Sequence, residues 1–325
     1  MNPIKLNTGI GVTGIKSQSK SKSGDSTKYE ITLSGSQKSH LIPKVILFCE
    51  DKFAESMIIN ALSYKELNHG AFKIIHCGVW HNIIKALAGC LLYEKELIDS
   101  GNGKALKVIG IIDGDVSESD ISTAIKKTYK GSFLPAEISN IIKIITEHVT
   151  SFKITQDGLK LPELSTGLPE FNLKIMLDDI TEEMIRNYHK EYILKYEGWL
   201  KKTATLEGKV NLTRELEDIK RKIKETLEII ETSKNIKSHE LPKNSSNKFD
   251  YHYYFETLKE RIGNKHFNSY SYSHDTELLV YRIISTYSKS RWEEYITPVT
   301  NLLISVKDEQ VKRFNHNTFN NDSLD

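Results

Sequence analysis

Two short acidic stretches carry the chemistry open to this chain. Glu50 and Asp51 follow directly on the apolar run "KVILFC", and Asp113 and Asp115, separated only by Gly114, follow "KVIGII". Carboxylates are hard oxygen donors, and several of them at one place hold Mg²⁺ or Mn²⁺. Two such cations about 4 Å apart stabilise charge on both the attacking and the leaving oxygen when a phosphodiester breaks. Gly114 eases the backbone turn and the close approach of a ligand. Glu50 can serve as ligand or as general acid or base. Taken alone, Glu50 reads more readily as a solvated acid at a helix N-terminus. The pairing with Asp113 and Asp115 favours the metal site.

These acids need elements that bring them together. "KVILFC" has the length of a buried strand, and Ala54, Met57, Ile58, Ala61 and Leu62 after it share one helical face. "FKIIHC" reads as a second strand, "HNIIKALAGCLLYEKELI" as a second helix, and "KVIGIIDGD" as a third strand before a helix from about Ser117 to Lys127. Alternating strands and helices predict an α/β fold with a parallel sheet and right-handed crossovers. Ligands in such sheets gather at the carboxyl ends of the strands, where both acidic stretches fall.

The rest of the chain divides by composition. Residues 1–43 are rich in Lys, Ser, Gly and Thr and read as a basic flexible arm, although "YEITLS" alternates like a short strand. The catalytic core is expected over 44–180, with a hairpin around Asp157 and Gly158 in "SFKITQDGLKL". Ile185, Tyr188, Tyr192, Tyr196 and Trp199 form one apolar stripe, and Leu212, Leu216, Ile219, Ile223 and Ile230 another. Over 181–236 these predict a helical hairpin that turns near Gly208. A mostly helical region over 237–325 completes the chain, with a disordered tail expected after Phe314.

Bulk properties narrow the classes. The 325 residues carry a net charge of only +2, so attraction to nucleic acid must come from local patches and bound cations. No apolar run approaches the roughly 20 residues of a membrane helix, and the N-terminus lacks the apolar core of a signal peptide, so a cytoplasmic location is expected. Cys49, Cys77 and Cys90 form no spaced metal pattern and read as buried thiols.

A strand ending in Glu, a helix, and a later strand ending in Asp-x-Asp resembles the TOPRIM pattern of topoisomerases, primases and several nucleases. The form it looks most like is the OLD (overcoming lysogenization defect) type, including Gabija-like antiphage nucleases. "CEDKFAE" resembles a variant first motif in which Glu-Asp replaces Glu-Gly, which leaves Asp51 or Glu55 as the second acid there. "HCGVWHNIIKAL", with Gly78, resembles the strand-Gly-helix segment between the acidic motifs, and "KVIGIIDGDVSESD" the Asp-x-Asp motif. "LPELSTGLPEFNLKIML" resembles the segment that brings a further acid, here Glu170, and "YSHDTELLVYRII" the late helix bearing His274 and Asp275.

The resemblance covers roughly residues 44–290. It implies a Mg²⁺- or Mn²⁺-dependent endonuclease in antiphage defence, acting on DNA or RNA, with Glu50, Asp113, Asp115 and Glu170 holding metal. It also implies a separately encoded ATPase partner of OLD or ABC type, since no GxxxxGK[ST] loop is present. A homo-oligomer is a further expectation.

Two other readings compete. "VIGIIDGDVSES" with Asp178 and Asp179 suits a HAD-type phosphatase, although its nucleophile strand normally opens the domain. A catalytically inactive TOPRIM scaffold, acting as a partner or inhibitor protein, is the other. Asp120 and Glu118 read as first-turn helix acids. His76, Cys77 and His81 read as structural because no fourth zinc ligand is evident. Tyr251, Tyr253, Tyr254, Tyr270 and Tyr272 read as packing or contact residues more readily than as a base-stacking set.

Overall fold

A computed structural model describes residues 44–100, 106–114, 116–152, 168–243, 249–263 and 275–315. The apolar runs form short strands: β1 (Val45–Cys49), β2 (Phe72–His76) and β3 (Val108–Ile112). With β4 (Val149–Ser151) they make one parallel sheet in the order β2-β1-β3-β4. All five residues of β3 are buried, as a strand covered on both faces requires. Ser151 opens no hairpin strand of its own: it ends β4, which runs parallel to β3. Asp157 and Gly158 lie outside the described residues, as do 1–43 and the tail after Asn315.

Side chains alternate across the sheet with period two. Val45, Leu47, Cys49, Ile109 and Ile111 enter one core with α1 (Lys52–Tyr64), α5 (Pro169–Asp178), α9 (Thr276–Tyr287) and α10 (Lys289–Asn315). Phe48, Val108 and Ile112 enter the other with α2 (Trp80–Asp99), α3 (Glu118–Thr128) and α4 (Pro135–Glu147). Gly110 lets α2 lie directly on the sheet, since a Cβ there would meet Ile83 Cγ2 and Leu87 Cδ1 at 2.7 Å.

The second half carries the helical hairpin, α6 (Glu182–Lys202) and α7 (Leu206–Lys234). The turn is 203–205. Gly208 already belongs to the first turn of α7, where its N–H donates to Thr205 Oγ1 (3.3 Å). The apolar stripe of α6 closes only at its root. Ile185 is buried and His189 bonds the Tyr287 hydroxyl at 2.8 Å, but Tyr188, Tyr192 and Trp199 remain exposed. Ile223, Ile229 and Ile230 of α7 join the α1 side of the core, with α8 (Tyr254–Ile262) against them. Tyr251 and Tyr254 are buried packing residues, Tyr253 is exposed, and Tyr270 and Tyr272 lie outside the described residues.

Candidate metal centre

With this strand order, β1 and β3 are neighbours whose following connections leave toward opposite faces of the sheet. A crevice opens between such strands at their carboxyl ends. Glu50 and Asp113 are the first residues beyond β1 and β3. The Asp113 N–H donates to Glu50 Oε1 (3.3 Å), so the two acidic strand ends touch. The Gly78 N–H donates to the Glu50 carbonyl (2.8 Å), tying in the end of β2 as well. Gly78 has φ +84, a backbone conformation that suits glycine. Asp115 lies outside the described residues.

The two acids beside Glu50 have local partners. Asp51 caps α1, accepting from the Ala54 N–H (2.9 Å), and Glu55 pairs with His76 Nε2 (2.8 Å). Their charges still bear on the site, Asp51 on Glu277 and Glu55 on Cys49. Burial, then Glu55, Asp51, Cys77 and Glu50, push the Cys49 thiol up to about 12, so it is no nucleophile at neutral pH.

Glu170 enters from another element. Pro169 starts α5 and Glu170 sits in its first turn, only 5% exposed. Its Oε1 lies 2.8 Å from His252 Nδ1, while its Oε2 is buried with no hydrogen-bond partner among the described residues. His252 is raised to about 9, chiefly by the Glu170 hydrogen bond against the opposing effect of burial, with the charges of Glu170, Asp250 and Asp113 adding. It is therefore a cation at neutral pH.

Asp275 caps α9, accepting from the Leu278 N–H (3.0 Å), and Glu277 follows in the first turn. Burial, then Asp275, Glu170 and Asp51, raise Glu277 to about 7. His274 lies outside the described residues. Beneath the acids, Asn172 is fully buried, and neither of its amide atoms has a well-formed hydrogen bond. The amide still lies near enough to the buried Tyr295 hydroxyl to affect it, as do the charges of Glu170 and Asp113.

Acids from β1, β3, α5 and α9 thus share one electrostatic neighbourhood. Among the described residues, no three His, Cys, Asp or Glu side chains converge closely enough, as they stand, to enclose an ion. The donor set nonetheless suits a divalent cation: hard oxygens throughout, with one buried carboxylate oxygen lacking any partner.

His252 and Glu277 are absent from the sequence reading. His252 sits in an aromatic run, "FDYHYYFE", and meets Glu170 only across 82 residues. Glu277 carries a weak signal, an acid two residues past Asp275, which by itself reads as a helix-start charge.

Other groups fall elsewhere. His76 and His81 do not share a site, because His76 pairs with Glu55 and His81 stacks on Trp80. Asp120 and Ser117 form a capping box on α3, and Glu118 is exposed beside them. Asp178 bonds Lys174 and Ser233, and Asp179 pairs with Arg291. Both lie at the far end of α5, about 12 Å along the helix from Glu170. That position does not suit a later acidic motif of a phosphatase centred on Asp113.

Fold and site together define an α/β protein with acids gathered at the carboxyl end of a parallel sheet. No protein-family model matches the chain, and no curated protein or solved structure is significantly similar to it.

Proposed function

We propose that this chain is a metal-dependent nuclease of TOPRIM type that hydrolyses phosphodiester bonds in nucleic acid. The observation that carries the reading is the 3.3 Å hydrogen bond from the Asp113 N–H to the Glu50 carboxylate, which joins the carboxyl ends of β1 and β3. The partnerless Glu170 Oε2 supports it. Glu50, Asp113 and Glu170 would hold Mg²⁺ or Mn²⁺, with Asp115 as the remaining acid of the Asp-x-Asp pair. A cation bound there supplies Lewis acidity to the phosphate and its leaving oxygen. The chain's own groups do the rest. Glu50 would orient or deprotonate an attacking water, and the His252 cation would offset the acids and attract a phosphate. The separate ATPase and the antiphage role rest on the resemblance alone.

Incubation of the purified chain with single- and double-stranded DNA and RNA tests this, in Mg²⁺, in Mn²⁺ and in chelator. Metal-dependent cleavage that disappears in Asp113→Ala is expected. No cleavage under any condition, or equal cleavage by the variant, overturns it. The local partners of Asp51 and Glu55 favour the inactive scaffold as the second reading. That scaffold would show no cleavage and no effect of Mg²⁺ on its melting.

A further inference from the structure

On the face of the sheet opposite α1, a groove of about 560 Å³ separates α2 from α3. Its lining includes Trp80, His81, Lys85, Asp120, Thr123 and Lys127. The groove belongs to the same end of the sheet as the acids. Trp80 opens α2 two residues after Gly78, which bonds the Glu50 carbonyl, and Asp120 lies in the first turn of α3, seven residues after Asp113.

Consecutive side chains on a helix normally point in different directions. Trp80 and His81 nevertheless stack, with ring centroids 3.6 Å apart and planes at 23°. Trp80 packs against the α2/α3 core, whereas His81 is exposed. The indole therefore backs the imidazole and leaves it as a flat platform at the groove. Lys85 stands one helical turn beyond His81, and Lys127 faces it from α3. Both are exposed, and neither makes an ion pair among the described residues. The one acid in the lining, Asp120, is turned onto Ser117, accepting from its N–H (2.9 Å) and its hydroxyl (2.5 Å). Among the described residues no side chain caps the start of α2; the Asn82 N–H is taken by the Val79 carbonyl (2.9 Å), which leaves the Trp80 and His81 amides for a ligand.

An aromatic platform flanked by cations is the chemistry that holds unpaired nucleotides, since every base has a π face and every linkage a negative charge. We propose that the groove binds a single-stranded segment of nucleic acid. One base stacks on His81, and the adjoining phosphates lie against Lys85, Lys127 and the start of α2. A paired base cannot offer its face in this way, so the groove selects single strands over duplex. That the bound strand is the one cut in the adjacent crevice rests on the nuclease reading; the binding itself does not.

Fluorescence anisotropy with labelled DNA and RNA oligomers of one sequence tests the proposal on the full chain in chelator, where no cleavage intervenes. Duplex and abasic versions serve as comparisons, and the two sugar types show which strand is preferred. His81→Ala should weaken single-strand binding about tenfold, and the abasic oligomer should bind the parent correspondingly less well. Lys85→Ala with Lys127→Ala should weaken binding and flatten its salt dependence by about 1.4 in log–log slope, about 0.7 for each lost phosphate contact. Lys201→Ala, on the distant hairpin, should change nothing. Unaltered melting of the variants, whose replaced side chains are exposed, confirms that they fold. The groove proposal is overturned by absent binding in the parent, by preference for duplex, or by variants that bind like the parent. The two readings separate cleanly. Binding without cleavage in any metal sinks the nuclease and keeps the groove, whereas cleavage with KM unchanged in the groove variants sinks the groove and keeps the nuclease.

Discussion

Glu170→Gln separates a metal ligand from a structural acid. In the metal-free protein the substitution removes the charge from the bond to His252. Charged hydrogen bonds contribute about 1.5–3 kcal/mol. The His252 side chain is 56% exposed, so solvent screening brings the loss to about 1 kcal/mol. Against this, the parent buries a carboxylate whose Oε2 has no partner. Such an orphan costs about 1–3 kcal/mol, and more when charged; the Gln amide still leaves one polar atom without a partner, so the variant recovers only the part due to the charge. Glu277 and Asp113 share the same neighbourhood, so removing a negative charge relieves them too. The balance is close to neutral, tipping slightly toward the variant.

On the proposed reading, cation binding would reverse the order. At a Mg²⁺ concentration 100 times its Kd, the parent gains about 2.7 kcal/mol, because only the folded state binds. For a structured region of this size that corresponds to a rise in Tm of about 5–10 °C. Scanning calorimetry of parent and variant, each in chelator and in Mg²⁺, reads both effects. The parent should rise with metal. Glu170→Gln should start equal or higher and stay there. A variant that melts well below the parent in chelator, yet gains as much from Mg²⁺, would show Glu170 to be an anchor for His252 and refute the reasoning.

Three other outcomes follow from the same geometry. In chelator, Tm should be lower at pH 9 than at pH 5, although His189, lowered by burial and then by the Lys222 charge, gives an opposing gain as pH rises toward 6.5. Glu277 titrates near 7 rather than 4.5, so the fold disfavours its ionisation and loses stability between those values. His252 titrates near 9 rather than 6.5, so the stability from its cation is full below 6.5 and lost by 9. A flat profile in calorimetry would contradict both placements. Asp113→Ala and Glu50→Gln should abolish cleavage without lowering Tm in chelator, whereas a drop of several degrees would mark either acid as structural. Gly110→Ala should cost about 1–3 kcal/mol by driving α2 off the sheet, measured by urea unfolding, and an unchanged midpoint would mean that α2 yields freely.

What the sequence discloses here follows from where each signal resides. β1, β2 and β3 are legible because each is a local apolar run of strand length, and their order with intervening helices dictates parallel pairing. The meeting of Glu50 and Asp113 follows from that order. β4 is not legible, since three residues of mixed polarity carry no period and it is the pairing with β3 that makes them a strand. The α6 stripe misleads in a different way. Periodicity shows which residues share a face but not whether a neighbour covers it, so Ile185 is buried while Tyr192 on the same stripe is not. His252 is invisible because its role depends on Glu170, brought to it by the packing of α5 against α8 and the short turn at Tyr251–Tyr253.

The helix-cap reading and the site reading of these acids turn out to be compatible. Asp51 caps α1, Asp275 caps α9, and Glu170 and Glu277 occupy the first turns of α5 and α9. Each acid also acts on another across the crevice, as the shift of Glu277 by Asp275, Glu170 and Asp51 requires. Three helix N-termini therefore face one acidic neighbourhood. Each presents partial positive charge, and charges placed there gain about 0.3–1 kcal/mol apiece. Together with the His252 cation, this lets the metal-free chain hold so many carboxylates close together without unfolding. On the proposed reading it also gives the α1 cap a part in the chemistry. Asp51→Asn keeps a competent cap, because Asn caps about as well as Asp, but removes a charge from the crevice. Its effect should therefore show in metal affinity and in a lower titration of Glu277, with Tm in chelator at neutral pH equal or slightly higher, because relief of that repulsion favours the fold.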